Sequence, residues 1–158
     1  MDNRTIRIVG DMPLDEIDQY KKGLEAVDQS LQLGDMGMKE DYAQLEDLNP
    51  LFHRFIPGNH DDCDHLPPHA LRNGFGMGKF HGENIGGPSG LKFFFIRGAE
   101  STDKARRIEG ETWWAKEELS QREMYDCYDL YLAIRPPIVF SHDCPTWATT
   151  FFPGRMRN

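Results

Sequence analysis

Four short runs in this sequence each end in a small residue and then a side chain that can bind metal or move a proton. Ile8-Val9-Gly10 precedes Asp11, and Gln32-Leu33-Gly34 precedes Asp35. Ile56-Pro57-Gly58 precedes Asn59-His60-Asp61-Asp62, and Val139-Phe140-Ser141 precedes His142-Asp143. The first three polar positions fall 24 residues apart, at 11, 35 and 59. That step suits a strand–helix–strand unit repeated twice. In open α/β sheets, sites form at the carboxyl ends of strands, and a small residue there lets the backbone turn sharply against a ligand. The pattern therefore gathers carboxylates, an amide and imidazoles around one crevice, a donor set for Mn, Fe, Zn or Mg. Two carboxylates about 4 Å apart repel by roughly 4 kcal/mol at an effective dielectric of about 20, and a bound cation removes that cost.

The elements that must position these groups are legible as short signals. Ile6 to Val9 reads as a strand. A helix follows, with Pro13 at its first position, Asp15 and Glu16 in its first turn, and an apolar face of Ile17, Tyr20, Leu24 and Val27. Leu31 to Leu33 and Phe52 to Ile56 read as strands, and Asp41 to Leu48 as a short helix stopped before Pro50. Residues 62–90 are rich in Gly, Pro and His and read as loop, with one strand near Met77 to Phe80. Leu91 to Ile96 is strongly strand-like. Ser120 with Glu123 is a capping-box pattern that opens a helix carrying Met124, Tyr128, Tyr131 and Leu132 on one face, stopped by Pro136-Pro137. Ile138 to Phe140 is a last strand. The alternation predicts an α/β layered fold with a largely parallel central part, one domain over residues 1–158.

Composition sets the limits. The chain has 158 residues, of which 39% are hydrophobic, enough for a packed core. Its 18 basic and 26 acidic side chains leave a net charge of −8, which disfavours binding of long polyanions outside a local pocket. No apolar run is long enough to span a membrane. Met1-Asp2-Asn3-Arg4 does not read as a secretory signal, so a cytoplasmic setting is expected. Cys63, Cys127 and Cys144 lie far apart with no C-x-x-C, so reduced thiols are expected.

Taken together, G-D at 10–11, G-D-M-G at 34–37, G-N-H-D at 58–61 and S-H-D at 141–143 resemble the motifs of the calcineurin-like metallophosphoesterases. The stretch Ile96 to Asp103, Gly110-Glu111-Thr112-Trp113-Trp114 and Ser141 to Pro145 are similar to the small phage and bacterial members. The resemblance implies a layered metallophosphoesterase-like sandwich, with a mixed, largely parallel sheet, flanking helices and one edge cut short. It implies a two-metal hydrolase of phosphomonoesters or phosphodiesters. Asp35 would bridge two metals, Asp11 would hold the first, and Asn59 and His142 the second. His60 would serve the leaving group, and Asp61 would orient His60. The metals implied are Mn, Fe or Zn, with Mg as a further option. The partner would be a phosphorylated small molecule, a nucleotide or a nucleic-acid phosphodiester, with no membrane.

The sequence departs from the family pattern twice. Asp11-Met12-Pro13 stands where the family has Asp-x-His, and no Gly-His-x-His occurs in the 158 residues. The second metal position is thus the better supplied. The chain is then a shortened form, or draws ligands from elsewhere, with His65, His69 and His81 as candidates. Two functions stay open: a phosphoesterase weakened by missing ligands, and a non-catalytic binding protein on the same scaffold. A zinc clip of Cys63, His65 and His69 is opposed by Pro67-Pro68 and the want of a fourth ligand. Trp113-Trp114 and Phe93-Phe94-Phe95 read as core, and Lys104 to Arg107 as a solvated loop with some reach toward a substrate phosphate.

Overall fold

The computed structural model describes residues 5–11, 17–35, 49, 52–62, 82–85 and 91–144. Pro13, the helix expected at 41–48, the strand expected at 77–80, and Cys63, His65, His69 and His81 lie outside them. The fold is mixed α/β. Strand β1 (Ile6–Val9) leads to helix α1 (Ile17–Leu24), then β2 (Gln29–Gln32) and β3 (His53–Phe55). Strands β4 (Gly82–Ile85) and β5 (Leu91–Ile96) follow, then helix α2 (Gln121–Ile134) and β6 (Val139–Ser141).

One sheet runs β1-β2-β3, parallel throughout. Ile6 pairs with Gln29 and Ser30 with His53, so each strand is shifted by 23 residues from the last. The even spacing of the motifs is thus the register of three adjacent strands. The second sheet runs β4-β5-β6, antiparallel at β4-β5 and parallel at β5-β6.

The two sheets share a core. Leu31 and Ile56 from the first pack with Phe93 and Phe95 from the second, flanked by Leu33, Ile138 and Phe140. Phe93 meets Phe140 edge-on, with ring centroids 5.3 Å apart, an arrangement that suits the quadrupoles of both rings. Phe94 points the other way and packs with Cys127 of α2. β5 is therefore apolar on both faces, and the expected core role of Phe93-Phe94-Phe95 holds. Trp113 and Trp114, by contrast, are only half-buried.

Two expectations need adjusting. Strand β2 begins two residues earlier than the apolar run Leu31 to Leu33 suggested, because Gln29, Ser30 and Gln32 are buried polar residues of a central strand. The helix opened by Ser120 forms as expected, with Ser120 accepting from the Glu123 amide and Arg135 ending it in the left-handed region. Its inward face is only partly the one expected: Tyr131 meets Phe94 edge-on, with ring centroids 5.9 Å apart. Cys127 and Leu130 meet the core, while Met124, Tyr128 and Leu132 stay exposed, because α2 is apolar over a wider arc than β5 can cover. Among the described residues, no helix is long and apolar enough to cross a membrane.

Candidate metal centre

The parallel order β1-β2-β3 delivers Asp11, Asp35 and Asn59 at neighbouring strand ends. β6 adds His142, whose amide continues the β5 pairing by donating to the Ile96 carbonyl at 3.2 Å. These residues, with His60, line one cleft of about 570 Å³. Ligand atoms of Asp11, Asp35 and His142 lie within 4.8 Å of one another. That separation matches donors spread around a single cation with bonds of about 2.0–2.6 Å. Asp11 and His142, expected on different metals, here belong to one cluster.

Two glycines make the approach possible. A Cβ on Gly34 would stand 2.5 Å from His142 Nδ1 and 2.6 Å from Gly58 Cα, and Gly34 has φ of +110°. A Cβ on Gly58 would stand 2.2 Å from Asp35 Oδ1. The ends of β2 and β3 thus touch with no side chain between them. Gly10 is different: among the described residues, an added Cβ would have nothing within 4 Å, so the close approach expected at all the strand ends is seen at two of them.

Polar side chains brace these ends from behind. Asp61 is buried, and its Oδ2 accepts from the amides of Asp35 and Gly58 at 2.8 Å each. Gln32, fully buried, donates from Nε2 to the carbonyls of Gly10 and Gly34 and accepts from the Gly34 amide at 2.7 Å. Asp35 sits in the left-handed region, φ +56°, a conformation Asp tolerates better than most side chains.

The donor set has a definite polarity. His142 Nδ1 lies 2.7 Å from the Leu33 carbonyl, so that nitrogen must carry the proton. In a neutral ring, Nε2 then offers a lone pair. It faces Asn59 Oδ1 at 2.7 Å and Asp35 Oδ1 at 3.5 Å. Asn59 Nδ2 is turned away, donating to Ser101 Oγ at 2.7 Å. Three acceptors meet with no donor among them, the arrangement a cation completes. His142 and Asp35 are largely buried, at 8% and 15% exposure of the side chain, so solvent screens this crowding poorly. Among the described residues, the cleft also carries Glu100, Asp103 and Asp143, against Arg106 as its cation. An acidic cleft of this kind does not draw in a phosphate ester unaided.

His60 stands exposed at the mouth. Its amide donates to Asp35 Oδ1 at 2.8 Å, and its ring lies 3.9 Å from Asp35 Oδ2. Arg107 reaches the same ring, with NH2 in contact with Nδ1 and 2.9 Å from Nε2. Asp103 holds the Arg107 Nε at 3.1 Å. Arg107 is only 11% exposed, so it is a packed part of the site and not the solvated side chain its charged neighbourhood suggested. Ser101, Glu117 and Gln32 are the site residues that sequence reasoning passed over, whereas Arg107 falls in the expected solvated loop with some reach toward a substrate phosphate. Only the Ser101 region carried any signal, through the resemblance of the Ile96 to Asp103 stretch. No family profile, curated protein or solved structure matches this chain.

Proposed function

We propose that this protein is a divalent-metal-dependent phosphoesterase on a calcineurin-like metallophosphoesterase scaffold. The observation that carries the proposal is the meeting of Asp35 Oδ1, Asn59 Oδ1 and His142 Nε2, with Asp11 alongside, as lone pairs facing one another in an acidic cleft. Carboxylate, amide oxygen and imidazole suit Mn, Fe or Zn, and Mg less well. When bound, such ions neutralise charge on phosphoryl oxygens and make water a better nucleophile.

The chain's own residues would divide the remaining work. Asp11, Asp35, Asn59 and His142 hold the cation. The Leu33 carbonyl fixes the His142 tautomer, and Asp61 fixes the separation of the Asp35 and Asn59 turns. His60, exposed beside the cluster, moves a proton at the leaving oxygen of the ester, with its ring held by Arg107. Arg106 gives the cleft wall one fixed positive charge for an anionic substrate. The substrate class is a phosphorylated small molecule, a nucleotide or a nucleic-acid phosphodiester. A cytoplasmic setting goes with this reading.

The test is a Mn titration of the purified chain, followed by electron paramagnetic resonance and by hydrolysis of an aryl phosphodiester. Saturable Mn uptake with Mn-dependent turnover is the expected result. His60→Ala should lower turnover by about 10²–10⁴-fold and leave Mn uptake intact. Absence of Mn, Fe or Zn uptake would overturn the metal reading. Uptake without turnover would leave the non-catalytic binding protein. One observation favours that second reading: among the described residues, Asp11, Asp35 and His142 are the one Asp/Glu/His/Cys group close enough to share an ion.

A further inference from the structure

We infer that Ser101 and Glu117 are positioning residues that decide which end of the Asn59 amide faces the metal cluster. The inference rests on the metal reading above and concerns how the ligand set is kept ready. A side-chain amide has an oxygen end and a nitrogen end of nearly the same shape. With its oxygen toward His142, Asn59 is a ligand. Turned over, it would donate to His142 Nε2 and block the cation. Nothing in the cleft opposes the turned-over form, which satisfies the imidazole lone pair by itself. The choice is therefore made on the other side of Asn59.

That side is Ser101, a buried hydroxyl. Asn59 Nδ2 donates to its Oγ at 2.7 Å. A hydroxyl can also donate, so Ser101 alone would serve either orientation. Its neighbours remove the ambiguity. Arg107 NH1 donates toward Oγ at 3.4 Å. The single Ser101 proton has two other takers, the Asn59 main-chain carbonyl at 3.5 Å and the Glu117 carboxylate. Glu117 is buried, and its Oε1 has no hydrogen bond among the described residues. Burial pushes its carboxyl up, and the Ser101 hydroxyl is the main side-chain influence drawing it back down. Turning Asn59 over would take the Ser101 proton and leave a buried carboxylate with less support, a loss of the kind that costs most in a dry setting. The buried acid thus makes Ser101 an acceptor toward Asn59, and the amide oxygen is left facing the cluster.

The test uses the metal-free protein labelled with 15N, in which the Asn59 side-chain amide protons are observed directly, and a Mn titration of the same samples. Ser101→Ala removes the acceptor. Glu117→Gln places an amide donor beside Ser101 and frees its proton to turn toward Asn59. Both variants should shift the Asn59 amide signals, speed their exchange with water, and weaken Mn binding by about 10–100-fold. Ser101→Thr keeps the hydroxyl and should retain both properties. Unmoved Asn59 signals in Ser101→Ala and Glu117→Gln would overturn the inference, whether or not Mn binding fell. Failure of the wild type to bind Mn would remove the metal reading alone, and the amide signals would still decide the positioning. Should Glu117→Gln not fold, the Ser101→Ala and Ser101→Thr pair carries the test.

Discussion

Replacing Gly34 by alanine probes the closest packing in the site. The new methyl would stand 2.5 Å from His142 Nδ1 and 2.6 Å from both Cα and N of Gly58, where an unstrained contact needs about 3.5–4.0 Å. Neither neighbour can retreat. His142 Nδ1 is tied to the Leu33 carbonyl, and the Gly58 amide is tied to Asp61. Holding alanine at φ +110° adds backbone strain of about 1–3 kcal/mol. Forcing a methyl into filled space adds about 1–3 kcal/mol more. The middle of that range, about 3–5 kcal/mol, is a large share of the roughly 5–15 kcal/mol of a typical domain and lowers Tm by roughly 6–20 °C. Gly10→Ala is the control. Among the described residues nothing lies within 4 Å of its added methyl, and its φ is not in the left-handed range, so its stability should change by less than about 1 kcal/mol. Urea unfolding followed by tryptophan fluorescence measures both. Equal stability of Gly34→Ala and wild type, or equal damage from the two substitutions, would refute the close-packing argument.

Three further outcomes follow from the geometry. Mn at about 100 times its Kd should stabilise the wild type by about 2.7 kcal/mol, and thermal unfolding should show that gain vanish in Asp35→Asn and His142→Ala. Gln32→Leu strands two carbonyls and the Gly34 amide, and chemical denaturation should register a loss of about 1–3 kcal/mol. The third concerns pH. Burial raises the Glu117 carboxyl above its ordinary 4.5, so just above that value the folded state keeps a proton that the unfolded chain has lost. Stability from this group therefore falls as pH rises through that window, and its penalty is complete once pH has passed the folded-state value. Above that value Glu117→Gln should accordingly be at least as stable as wild type, and wild type should recover ground as pH falls into the carboxylate range. Denaturation midpoints at both ends of the range check the sign.

The residues gathered at the cleft were legible because each follows a strand and a small residue, a local pattern that survives in one dimension. The 24-residue step even anticipated which strands are neighbours. What supports those residues was not legible. Ser101 lies 42 positions from Asn59, Glu117 acts through a buried contact with Ser101, and Gln32 reads in sequence only as part of the run before Asp35 when it is the clamp between two strand ends. Such roles depend on burial that only the folded chain supplies. Gly10 shows the opposite failure: it shares the pattern of Gly34 and Gly58, but none of the described residues comes within 4 Å of a Cβ placed there. The face of α2 was misjudged for a related reason. Its apolar periodicity marks an arc, and only contact with Phe94 selects the part that Cys127 occupies.

The single Asp61 oxygen shared by the Asp35 and Gly58 amides has a consequence for motion. Two strand ends that hang on one acceptor cannot open independently: releasing either amide leaves the carboxylate to rotate and loosens the other. Hydrogen exchange at Asp35 and Gly58 should therefore report one opening event with one free energy, although the residues belong to different strands. That event also parts Asp35 from Asn59. A cation bridging them would slow both amides by a common factor, so ligand occupancy could be read as protection at two backbone positions that never touch the ligand.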